Sequence, residues 1–89
     1  MTEHFHFTMD RNIFNLKLSV EATSAYILVA STMEENVRPS LKVIKNRWVK
    51  SNRELEEALS ELLQRNVLQL KPAPDGEAVY YPNPASLWR

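Results

Sequence analysis

Between residues 19 and 66, apolar side chains recur every three or four positions in three successive blocks, each opened by a serine. In the first block Ala22, Tyr26, Val29 and Met33 share one helical face, with Ala25 and Ala30 beside them. Ser19 stands at the N-cap position, and Glu21 in the first turn suits the positive end of the helix dipole. The pattern predicts a helix over 19–35, closed by Asn36 in a left-handed conformation. Val37-Arg38-Pro39 reads as an extended link, because proline disfavours a helical residue before it. Ser40 opens the second block, where Leu41, Ile44 and Trp48 form the stripe with Val43 alongside, and a helix is predicted over 40–49. Ser51 opens the third, over 51–65, with Leu55, Leu59 and Leu62 inward and Ala58 and Leu63 flanking. Asn66 takes the terminating position where glycine is usual, as the next-best residue for a positive φ.

After Asn66 the helical period stops. Two short runs, 67–70 and 78–81, are joined by Pro72-Ala73-Pro74-Asp75-Gly76-Glu77, and the Asp-Gly pair supplies turn chemistry for a hairpin. At the other end His4 to Met9 alternates with period two, putting Phe5, Phe7 and Met9 on one side and His4, His6 and Thr8 on the other. Asp10 to Leu18 adds a short apolar stretch with Ile13, Phe14 and Leu16. The tail after Tyr81 holds two prolines and is predicted to be irregular, with Leu87 and Trp88 folding back on the domain or sealing a subunit contact. The fold class is therefore mainly α with a β-hairpin, a winged helix-turn-helix of three helices plus wing. One domain spans 1–89, divided into an arm (1–18), a three-helix core (19–66), the wing (67–81) and a tail (82–89).

Composition changes this picture little, but charge changes it considerably. The 44% hydrophobic content of 89 residues suits one small globular domain, which would gain from dimerisation. The chain has no cysteine, so disulfides, thiolate metal sites and a cysteine nucleophile are excluded, and a reducing cytoplasmic setting is expected. The first residues lack the basic start and apolar run of a secretory leader, and Ala25 to Ala30 is too short to span a bilayer. His4 and His6 share a face without a third ligand nearby, which reads as a solvated strand face rather than a metal site. No glycine-rich phosphate loop or catalytic constellation is present, so no enzyme activity and no cofactor are expected. Eleven basic and eleven acidic residues cancel. Their distribution does not: 41–53 holds Lys42, Lys45, Arg47, Lys50 and Arg53 and no acid, and the helix that follows holds Glu54, Glu56, Glu57 and Glu61.

The run FTMDRNIFNLKLSVEATSAYILVAS, then RPSLKVI, then SNRELEEALSELLQRNVLQL resembles the winged-helix domain of plasmid replication initiators and phage replisome organisers. The similarity covers residues 7 to 81 and lies mostly in caps and core. It implies DNA binding in transcription regulation or replication. In that family the third helix carries Arg, Thr, Gln and Lys outward, whereas here the corresponding positions are Arg53, Glu54, Glu56, Glu57 and Ser60. Carboxylates facing a phosphate-lined groove oppose the electrostatic attraction that dominates affinity. The expected DNA contacts therefore move to Lys42, Lys45, Arg47, Lys50, Ser51 and Arg53 of the second helix and turn, with Lys71 of the wing. The alternative is a protein-interaction module whose partner meets Glu54, Glu56, Glu57 and Glu61. A homodimer is expected in either case, from apolar residues at both ends of the chain: Phe5, Phe7 and Met9, and Tyr80, Leu87 and Trp88.

Overall fold

The computed structural model describes residues 9–73 and 76–89, and the period-two segment up to Thr8, with its two histidines, lies outside them. A short 3-10 helix, Arg11–Leu16, precedes three α-helices: α1 (Val20–Glu34), α2 (Leu41–Arg47) and α3 (Asn52–Gln64). Strands β1 (Leu68–Pro72) and β2 (Ala78–Pro82) follow as an antiparallel hairpin in the register Leu68↔Pro82, Leu70↔Tyr80 and Pro72↔Ala78. The arrangement is mainly helical with a two-stranded hairpin and is compatible with a winged helix.

The three serines are all N-caps. Their hydroxyls accept from the amides of Ala22, Val43 and Glu54, each three residues on, at 3.1 to 3.2 Å. At Ser51 the cap is reciprocal, because the Glu54 carboxylate accepts from the Ser51 amide at 3.2 Å. Ser51→Ala is expected to lower stability by about 1 kcal/mol in urea unfolding, because it removes the hydroxyl that accepts from the Glu54 amide.

Helix ends follow equally local rules. Asn36 and Asn66 have φ of 62° and 60°. Behind each, two amides turn back onto the last helical carbonyls: Asn36 to Met33 and Val37 to Thr32, then Asn66 to Leu63 and Val67 to Leu62. This six-to-one and five-to-two pairing is the Schellman arrangement, with asparagine at the left-handed position. Helix α2 is shorter than the spacing predicts. It ends at Arg47, and Trp48 is already extended, with its indole N–H donating to the Ser51 carbonyl at 3.2 Å.

The core lies between α1 and α3 and under the hairpin: Ala22, Ala25, Tyr26 and Val29 meet Leu55, Leu59, Leu62, Val67 and Leu68, with Ile13 and Ile44 closing the sides. The link before α2 joins the hairpin, since Ser40 bridges Val79 and the Tyr80 amide donates to the Pro39 carbonyl at 3.0 Å. Burial pushes the Tyr26 phenol above its ordinary pKa, although the Asp10 amide donates to its oxygen at 3.1 Å and pulls the other way.

The tail corrects one expectation. Ala85–Leu87 is a 3-10 turn, not irregular chain. Behind it Trp88 returns to the core, edge-on to Tyr26 at 5.7 Å between ring centroids, with its N–H on the Asn83 carbonyl at 2.9 Å. The same segment covers the end of α3: Arg89 donates through its amide to the Arg65 carbonyl and through its guanidinium to that of Gln64, at 2.7 and 3.1 Å. Tyr80 is likewise buried. Tyr80 is therefore a core residue and Trp88 is partly buried against the core, so both rings are engaged within the domain and not offered to the expected dimer.

Candidate nucleic-acid interface

The basic run of 41–53 does not form one surface. Helix α2 turns Lys42 and Lys45, three residues apart, toward the loop end of the hairpin, where Gly76 and Glu77 lead into β2. There they line a shallow groove of about 460 Å³ with Leu41, Gly76, Glu77 and Ala78. Both lysines are exposed, and among the described residues neither has an ion-pair partner. Lys71 stands on β1, its ammonium 5.6 Å from the centre of the Tyr81 ring.

The other cations face carboxylates. Arg47 reaches back to the C-terminal end of α1, 3.0 Å from Glu35 and 3.3 Å from the Thr32 hydroxyl. Lys50 meets Glu21 at 3.2 Å, at the opposite end of the same helix. Glu21's backbone hydrogen bond first, and the Lys50 ammonium second, hold its carboxyl below its ordinary pKa. Arg53 pairs with Glu57 one turn along α3 at 3.4 Å, with the arginine side chain 87% exposed. Exposed pairs of this kind contribute about 0–1 kcal/mol, so they neutralise charge without locking the side chains. Ser51 is committed to the cap.

The four nominated glutamates also divide. Glu54 closes the capping box. Glu61 holds the start of α1: its carboxylate accepts from the Ser19 hydroxyl at 2.8 Å and from the Ser19 amide at 3.1 Å. Residues 42 apart in sequence carry this contact, and no local pattern announces it. Glu56 and Glu57 remain as exposed carboxylates of α3. With Glu21, Glu54 and Glu61, Glu57 makes the wall between α1 and α3 strongly acidic, around a groove of about 320 Å³. No family model, curated protein or solved structure matches this chain.

Proposed function

We propose that this chain is a winged-helix module, of the kind its sequence resembles, that binds duplex DNA through phosphates at the edge formed by α2 and the hairpin. The observation that carries the reading is the pair Lys42 and Lys45, exposed, unpaired among the described residues and set beside the loop end of the hairpin. Two ammonium groups against the carboxylate of Glu77, the single one lining the groove among the described residues, leave it positive, and Lys71 adds a further cation on β1. Phosphate contacts of this type set position on the duplex and carry no sequence information. Helix α3 contributes little, since Glu56 and Glu57 would face the backbone charge.

The test is fluorescence anisotropy with a duplex at several salt concentrations. Binding is expected to weaken linearly in log–log form, with a slope reporting about three phosphate contacts at roughly −0.9 each. Glu56→Gln with Glu57→Gln is expected to tighten non-specific binding about tenfold, by removing repulsion at constant shape. Binding that the double change weakens, or that salt leaves untouched, would overturn the reading.

A second reading, a protein-interaction module, is favoured by one observation: Arg47, Lys50 and Arg53 already face carboxylates of the same chain. The acidic wall of α3 would then receive a basic partner, and the Glu56/Glu57 change would abolish that complex.

A further inference from the structure

The long helix α1 carries no charged residue between Glu21 and Glu34. Its inward side is core, yet its outward side also stays uncharged, with Val20 71% and Ile27 38% exposed. A helix side turned to water ordinarily carries charged residues, so an uncharged one fits contact with protein. Beside it runs the chain at Met9 to Arg11, held there by the hydrogen bond from the Asp10 amide to the Tyr26 hydroxyl. Together they enclose a mainly apolar groove of about 400 Å³, lined by Met9, Ile27 and Ala30, with Arg11 contributed by the chain segment and Glu34 by the helix. Among the described residues neither Arg11 nor Glu34 has an ion-pair partner.

We propose that this groove is the contact surface for a second copy of this chain. The argument is self-complementarity. A two-fold contact sets residue i against j and j against i. An axis lying between the two sides of the groove puts Arg11 of one copy against Glu34 of its twin, twice, and brings the Met9 and Ile27 side chains together in the middle. Ala30 and Ser31 are small and let the backbones approach. A surface with one cation and one anion, each unpaired among the described residues, beside an apolar floor is matched in charge and in polarity by itself. Of the residues from which the sequence led us to expect a dimer, this surface keeps Met9 and leaves out Tyr80 and Trp88, which pack in or against the core. It stands independently of any nucleic-acid binding.

Sedimentation velocity of the full chain, from about 1 to about 100 µM, tests it. The wild type is expected to dimerise with a Kd on the order of ten micromolar. Ile27→Glu is expected to weaken association about a hundredfold with an unchanged circular dichroism spectrum, since this side chain lies outside the core. Arg11→Glu and Glu34→Arg are each expected to weaken it about tenfold, and the two together to restore it, because the swap recreates the pair across the axis. A wild type that stays monomeric at the highest concentration overturns the proposal. So do single swaps without effect, or a double swap no better than either single. DNA binding measured on the same variants separates the two questions, because Lys42 and Lys45 are untouched by all of these changes.

Discussion

Replacing Trp88 with alanine should cost about 3 kcal/mol, a large share of the stability of so small a domain. The side chain is held by an edge-to-face contact with Tyr26, by its N–H on the Asn83 carbonyl, and by packing against the α1–α3 core. Aromatic truncation in a packed site removes transfer free energy and leaves a void that neighbours fill only partly. Here the loss propagates, because the segment that carries Trp88 also covers the end of α3. Arg89 satisfies the carbonyls of Gln64 and Arg65, and the Leu87 carbonyl receives the Asn66 amide group at 3.0 Å. Urea unfolding reads the effect as a midpoint lowered by about 3 M, for a slope near 1 kcal/mol per molar. Leu87→Ala is the control. That side chain is half exposed, and its loss should cost under about 1 kcal/mol. Equal and small effects of both changes would show that the tail adds nothing to the core.

Changing Lys42 and Lys45 together to alanine should reduce duplex affinity by about a hundredfold near physiological salt and flatten the salt dependence by close to two units of slope. Each lost phosphate contact removes about one released counterion from the binding equilibrium. Fold stability should stay within about 0.5 kcal/mol of wild type, because both side chains are exposed and neither caps a helix. Arg47→Ala and Lys50→Ala serve as comparison, since these cations are already opposed by Glu35 and Glu21 and should lose less than tenfold each. Binding that depends on Arg47 and Lys50 but not on Lys42 and Lys45 would move the interface to the α1 side of α2. Retention of full affinity in all these variants would leave DNA without a basis on this edge.

The local layer of the fold was legible in the sequence. Ser19, Ser40 and Ser51 sit where serine caps belong, Asn36 and Asn66 where a left-handed residue ends a helix, and the apolar stripes of α1 and α3 face the core as their spacing requires. Helix starts and stops are decided by hydrogen bonds within four or five residues, so a linear reading reaches them. Trp48 marks the edge of that reach. Its spacing from Ile44 continues the stripe, but the indole N–H engages the Ser51 carbonyl from an extended backbone and the helix stops one residue earlier.

Tertiary structure decided what a charge or an aromatic ring is for. Glu54 and Glu61 look alike as outward carboxylates of one helix, yet one caps its own helix and the other anchors Ser19 from 42 residues away. Arg47 and Lys45 look alike in a basic run, yet only Arg47 meets a carboxylate among the described residues. Trp88 reads as a surplus apolar residue at the end of the chain and stands against Tyr26 in the core. Caps and periodicity arise from neighbours in sequence, whereas the partner of a long side chain is whatever the packing of distant elements brings within about 4 Å, a distance that no spacing along the chain encodes.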